Sequence, residues 1–220
     1  MKLITYPDVE MMIIDLANVL AGELNNVLFH ADRVTLALPG GTTPGPLYDD
    51  LCATPLPWDR VRVLPTDERL VAPDHPRSNE GMIRSRLLTG AAAAAQVVGL
   101  CPGADGIEGV SNRIGAALPI DILVLGMGAD MHIASLFPGA PELEAALGPD
   151  APPVMQVTAP GQPEPRITLT APVLRGAMST HILITGADKR AALDRAVELD
   201  DPRLAPVCAV LKTATVHWAE

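Results

Sequence analysis

Residues 121–125, Asp121-Ile122-Leu123-Val124-Leu125, form an almost wholly apolar run that stops at Gly126 and gives way to Met127-Gly128-Ala129-Asp130-Met131-His132. A strand that is apolar at every residue, and not at every second one, must be covered on both faces. That is the condition of a central strand in a parallel sheet with helices on either side. The flanking segments alternate as such a sheet requires. From Val9 to Leu28 apolar residues fall at 9, 12, 13, 16, 19, 20, 24, 27 and 28, the period of one buried helix face, and Asp8 is placed to cap it. Arg33–Leu38 reads as a strand, followed after Pro44 by a short helix with Leu47, Leu51 and Cys52 inward. Val61–Leu64 reads as a second strand, which ends in the charged turn Thr66-Asp67-Glu68-Arg69. A helix capped by Ser78, a short strand at Val97–Leu100 and a helix over 105–118 come before the central run. After it come strands at Arg166–Leu169, Ile182–Thr185 and Thr215–Trp218, with helices following Thr170 and Asp188. Ala151–Pro165, with five prolines, is expected to be a surface loop.

Strands alternating with helices imply an α/β fold: a doubly wound, mostly parallel sheet with helices on both faces, here as one domain over residues 1–220. In such sheets ligands sit beyond the carboxyl ends of the strands. Segments 39–44, 66–69, 126–132 and 186–189 each follow a strand, so this topology gathers them at one edge.

Composition narrows the ligand. With 16 Lys and Arg against 26 Asp and Glu the formal charge is −10, which disfavours a nucleic-acid partner, because phosphate backbones are held chiefly by Lys and Arg. A small anion needs only a few focused positive groups. Cys52, Cys101 and Cys208 are scattered, with no Cys-x-x-Cys, so neither a zinc site nor a disulfide framework is expected. The first residues lack the pattern of a secretory signal. The longest uncharged stretch, 87–104, is broken by Gly90, Gly99, Pro102 and Gly103. A cytoplasmic protein with no membrane partner is expected.

Four places carry candidate chemistry. Pro39-Gly40-Gly41-Thr42-Thr43 joins a strand to a helix: the glycines allow close backbone approach, the threonines add hydroxyls, and the helix N-terminus offers free N–H groups, a combination suited to phosphate. Asp67-Glu68-Arg69 can orient a nucleophile or hold an anionic oxygen. His132 follows the central strand and is the side chain suited to gain and lose a proton near neutral pH, with Asp67 or Asp130 to fix its tautomer. A helix over Ile133–Phe137 would favour the neutral imidazole through its dipole. Arg166 and Lys189 open a strand and a helix and can supply positive charge to the same edge. His30, His75, His181 and His217 are read as structural. No metal-ligand spacing occurs, nor any Gly-x-Ser-x-Gly elbow.

Taken in order, Leu38-Pro39-Gly40-Gly41-Thr42-Thr43-Pro44, Thr66-Asp67-Glu68-Arg69, Ser78-Asn79, the run from Gly126 to Pro138, Arg166-Ile167-Thr168-Leu169-Thr170 and Gly186-Ala187-Asp188-Lys189 resemble the 6-phosphogluconolactonase family. The resemblance implies a Rossmann-like fold akin to the glucosamine-6-phosphate deaminase and ribose-5-phosphate isomerase group. It implies hydrolysis of 6-phospho-D-glucono-1,5-lactone in the oxidative pentose phosphate pathway, without cofactor or metal, by a monomer or homodimer. His132 would then serve as base and acid, oriented by Asp130 or Asp67. Arg69, or N–H groups around Gly126 to Gly128, would hold the oxyanion. Gly40, Gly41, Thr42, Arg166 and Lys189 would hold the phosphate. The alternatives are a glucosamine-6-phosphate deaminase or isomerase, and a sugar-phosphate sensor that does not react. The deaminase usually has Glu at the position of Phe137 and Tyr at that of Arg69. The lactonase pattern usually has Gly where this chain has Met131, a costly exchange if that position needs positive φ.

Overall fold

The computed structural model describes residues 1–161 and 163–220. Its elements in chain order are β1 (Lys2–Thr5), α1 (Val9–His30), β2 (Val34–Leu38), α2 (Gly45–Cys52), β3 (Val61–Pro65), β4 (Asp67–Arg69), α3 (Asn79–Arg86), β5 (Gln96–Val97), α4 (Gly106–Gly115), β6 (Ile122–Gly126), α5 (Leu143–Leu147), β7 (Val154–Val157), β8 (Arg166–Leu169), α6 (Ala171–Arg175), β9 (Ser179–Thr185), α7 (Ala187–Leu199), α8 (Cys208–Leu211) and β10 (Thr215–Ala219).

Seven strands form one sheet in the order β1-β10-β9-β6-β2-β3-β5, parallel throughout. The apolar run 121–125 supplies its middle strand, β6. Successive residues of β6 enter opposite cores. Ile122 and Val124 pack with Leu36, Leu38, Val63 and the α1 and α2 residues Leu16, Leu20, Leu47 and Leu51. Leu123 and Leu125 pack with Ala37, Leu64, Ile182, Ile184 and the α7 residue Leu193. Fully burying each such Leu, Ile or Val favours folding by roughly 1.5–3 kcal/mol, so neither face of β6 tolerates a polar residue. Helix α1 starts where Asp8 accepts a hydrogen bond from the N–H of Met11 at 2.8 Å. Its length and apolar composition would also allow it to cross a bilayer. In this fold its stripe of Met12, Leu16, Leu20 and Leu24 lies against the sheet, each residue 0% exposed.

A second sheet was not expected. β4, β8 and β7 form a three-stranded antiparallel sheet in the order β4-β8-β7. Residues 67–69, read as a charged turn, are therefore a strand, and Arg166–Leu169 pairs antiparallel here and not in the parallel sheet. The proline-rich stretch 151–165, read as surface loop, contains β7. The alternation in Arg166-Ile167-Thr168-Leu169 explains the arrangement. Ile167 and Leu169 enter the core, while Arg166 and Thr168 share the opposite face with their partners across the ladder, Arg69 and Asp67. Isolated from its partners, Asp-Glu-Arg has poor strand propensity; its pairing supplies what the local sequence lacks.

His181 and His217 are buried, at 4% and 1% exposure. They are joined through Nδ1 and Nε2 at 3.1 Å and continue to Glu23 at 3.1 Å and Tyr6 at 2.9 Å. Burial, aided by His181, pushes His217 down to about 4, so it is neutral near pH 7. His30 and His75 are exposed.

Candidate functional site

The strand order reverses between β2 and β6. From β2 the chain steps outward to β3 and β5, and from β6 it steps the other way to β9 and β10. A crevice opens at such a switch point, beyond the carboxyl ends of the strands. Here it is a cleft of about 270 Å³ whose lining includes Gly40, Gly41, Thr42, Asp67, Arg69, His132, Arg166 and Lys189, together with Asn79, Ala134 and Leu183. All four post-strand segments thus contribute to one cleft. Asp130 reaches it through His132.

The loop after β2 is shaped by its neighbours. A Cβ on Gly40 would lie 1.8 Å from Oδ1 of Asn79, so this position requires glycine. Gly41 has φ +95°. The Tyr48 hydroxyl, completely buried, donates to the Pro39 carbonyl at 2.5 Å and pins the loop to α2.

The three residues of β4 divide their work. Asp67 faces the cleft, where Oδ2 accepts from the Ser135 hydroxyl at 2.5 Å and lies 3.5 Å from Nη1 of Arg166. Its Oδ1 accepts from Nδ2 of Asn79 at 3.2 Å. Glu68, 0% exposed, turns the other way. It accepts from the N–H groups of Arg69, Asn79 and Glu80 at 2.8, 2.8 and 2.7 Å and from the Ser78 hydroxyl at 3.0 Å. It is a structural carboxylate that closes the N-terminus of α3. Arg69 returns to the cleft; its Nη1 donates to the Arg77 carbonyl at 2.7 Å and to Oδ1 of Asn79 at 2.8 Å.

After β6 the chain makes a tight turn. The N–H of Gly128 donates to the His132 carbonyl at 3.0 Å, so that N–H is not available to an oxyanion. Nδ1 of His132 lies 2.5 Å from Oδ1 of Asp130. A carboxylate only accepts, so Nδ1 carries the proton and Nε2 is left as the basic atom. Hydrogen bonding to His132 holds the Asp130 carboxyl below its usual range, so it is ionised near neutral pH. Asp130, and not Asp67, is the group bonded to the imidazole. A Cβ on Gly128 would lie 2.2 Å from Nδ1 and 2.4 Å from Oδ1 of Asp130, so glycine here makes room for the pair. Residues 133–137 are not helical; Ile133 and Leu136 form an isolated bridge. The helix dipole expected at His132 is therefore absent, and Asp130 alone sets the tautomer.

Met131 has φ +68°, the left-handed conformation that a side chain resists by roughly 1–2 kcal/mol. Its side chain is 6% exposed and packs into the core on the α7 side of the sheet. Truncating a buried Met costs about 2–5 kcal/mol, more than the strain. Met131→Gly is therefore expected to lower stability by roughly 1–3 kcal/mol despite the relieved backbone. A thermal scan decides the sign, and a higher melting temperature would show that strain dominates.

The cationic wall comes from β8 and α7. Arg166 is 5% exposed. Burial lowers its pKa, with Asp67 opposing, yet a guanidinium stays charged near neutrality. Burial likewise lowers that of Lys189. Lys189 stands in the first turn of α7, whose entry is fixed by Gly186 at φ +85° and by the Trp218 indole donating to the Gly186 carbonyl at 3.1 Å. Asn79, Ser135 and Phe137 were not singled out from sequence as site residues. Asn79 was legible only as part of the Ser78 helix start, and Ser135 and Phe137 only as part of the motif that follows His132.

Fold and site together define a doubly wound α/β protein with a cleft at its switch point lined by His132, Arg69, Arg166 and Lys189. Residues 7–218 match the family model for glucosamine-6-phosphate isomerases/6-phosphogluconolactonase, and the chain belongs to that family. Among its relatives, a 6-phosphogluconolactonase of Mesorhizobium japonicum is 40% identical over 224 residues, covering 97% of this chain and 93% of its own. One from Pseudomonas aeruginosa is 38% identical over 210 residues, covering 92% and 88%. The crystal structure of a 6-phosphogluconolactonase from Shewanella baltica superposes with a TM-score of 0.95 at 29% identity, covering 100% of this chain and 97% of that one. A monomeric glucosamine-6-phosphate deaminase shares the fold, with a TM-score of 0.83 at 19% identity over 100% of this chain and 98% of its own.

Proposed function

We propose that this chain hydrolyses 6-phospho-D-glucono-1,5-lactone to 6-phospho-D-gluconate. The observation that carries the reading is a carboxylate-oriented imidazole in the same cleft as Arg69, Arg166 and Lys189. A lactone carbonyl is already electrophilic, so no covalent enzyme intermediate is needed. Nε2 of His132 takes a proton from water as its oxygen attacks C1. The carbonyl electrons move onto the oxyanion, which Arg69 stabilises. When the oxyanion collapses, the C1–ring oxygen bond breaks and Nε2 returns the proton to the leaving oxygen. Asp130 holds the tautomer throughout and stabilises the imidazolium. The Gly40-Gly41-Thr42 loop, Arg166 and Lys189 hold the 6-phosphate, turning remote binding into orientation of C1 over His132. Asp67 acts by fixing Ser135, Asn79 and Arg166 around the cleft. These steps use water and side chains alone.

The test is an assay on freshly prepared lactone, with spontaneous opening subtracted. Enzyme-dependent release of acid supports the reading. Phosphate binding without turnover would make the chain a sensor, and ammonia release from glucosamine 6-phosphate would make it a deaminase. Asp130 is the carboxylate bonded to His132, while the neighbouring Phe137 is apolar, which favours the lactonase over chemistry needing a second acid at the imidazole. Lys189→Met is expected to raise KM by roughly tenfold or more while changing kcat less, the mark of a lost binding group away from the reacting bond. An unchanged KM would remove Lys189 from the phosphate site.

A further inference from the structure

Phe137 is 8% exposed and lies behind the cleft, not in its lining. Two cleft groups nevertheless rest on its ring. The His132 imidazole is 4.5 Å away, centroid to centroid, at an interplanar angle of 42°. The Arg166 guanidinium carbon stands 5.9 Å from the same centroid. The local chain path makes this possible. Ala134 has φ +47°, and the N–H of Leu136 donates to the Ile133 carbonyl at 2.9 Å. The segment therefore folds back and brings residue 137 against residue 132. Arg166 arrives from β8, in the other sheet. The basic and the cationic ends of the cleft thus share one rigid aromatic spacer.

We infer that Phe137 is a positioning residue, whose ring sets the separation and tilt of His132 relative to Arg166 and holds the guanidinium on its π face. The inference rests on the reading of Arg166 as a phosphate anchor. The hydrogen bond to Asp130 fixes one atom of the imidazole but leaves the ring free to swing about that bond; a flat wall restricts the swing. The negative face of an aromatic ring also attracts a guanidinium, which an aliphatic side chain of similar volume does not. The Asp67 carboxylate, 3.5 Å from Nη1, holds the same guanidinium at the same time.

Two variants separate these effects. Pentafluorophenylalanine at position 137 keeps the shape of the ring and inverts its quadrupole, whereas Phe137→Leu removes the plane. Inorganic phosphate affinity by calorimetry, kcat and KM on the lactone, and thermal melting are measured for both. The fluorinated protein is expected to melt with the wild type, yet to show phosphate Kd and KM raised roughly three- to tenfold with a smaller change in kcat. Phe137→Leu is expected to lower kcat by roughly tenfold or more in addition. A fluorinated protein with wild-type Kd and KM overturns the π-face role, and a Phe137→Leu protein with wild-type kcat overturns the role as spacer. If Arg166→Met abolishes phosphate binding in either case, the proposed function stands and only that role of Phe137 falls. Wild-type protein that neither binds phosphate nor opens the lactone overturns both.

Discussion

Replacing His132 by Ala is expected to reduce background-corrected kcat by roughly 10²-fold or more, the usual loss when a positioned acid–base group is removed. Phosphate affinity should stay near wild type, because the cationic wall is built on β8 and α7 and not on the His132 turn. The variant should also fold normally: the imidazole is 31% exposed in its side chain and contributes little to the core. The reason for so large an effect is geometric. Asp130 holds the neutral ring in the tautomer with its proton on Nδ1, so that Nε2 is the nitrogen able to take the proton of water. A residual rate is expected from the remaining electrostatic and binding groups. Paired measurements of kcat and inorganic phosphate Kd decide the matter. Undiminished kcat would exclude His132 as the base, and a parallel loss of phosphate affinity would point to a disrupted cleft and not to lost chemistry.

Glu68→Ala is expected to be the most damaging substitution for stability. The Glu68 carboxylate, completely buried, receives four donors: three backbone N–H groups and the Ser78 hydroxyl. Removing it orphans these four donors on β4 and at the start of α3, each worth about 1–3 kcal/mol, for a total of roughly 4–12 kcal/mol if none finds a new partner. The melting temperature should fall by about 10 °C or more, since 1 kcal/mol shifts a chain of this size by about 2–4 °C. Because the same carboxylate sets the backbone of Asn79, which in turn holds Asp67 and Arg69, activity measured well below the melting transition should fall as well. A melting temperature within about 2 °C of wild type would show that water or a local shift satisfies these donors.

Glu68 also shows where a linear reading stops. In Asp67-Glu68-Arg69 the sequence reading assigns site roles to Asp67 and Arg69 and none to Glu68. The strand that places 67 and 69 toward the cleft places 68 away from it, and the distinction depends on β8, which arrives 97 residues after Arg69 with Arg166 as its ladder partner. Most of the main sheet was legible because it follows from local rules; its edge strand β1 was not read from the sequence. The apolar run 121–125 requires cover on two faces, the period of α1 supplies one layer, and Gly40-Gly41 and Gly126-Gly128 end their strands where a ligand must approach. The antiparallel sheet was not, because β7 lies in a proline-rich stretch and β4 is made of charged residues; both exist through pairing and not through propensity.

The sequence alone determined the doubly wound frame and which post-strand segments meet at the switch point, since periodicity and glycine placement are properties of neighbours along the chain, and the order of its motifs carried the resemblance to the family. Only the tertiary structure decided which acid serves the imidazole, which carboxylate is scaffolding, and that Met131 sits at positive φ with its side chain in the core. Those outcomes depend on distances of a few ångströms between groups far apart in sequence, and at that range hydrogen bonds and packing are set by folding as a whole.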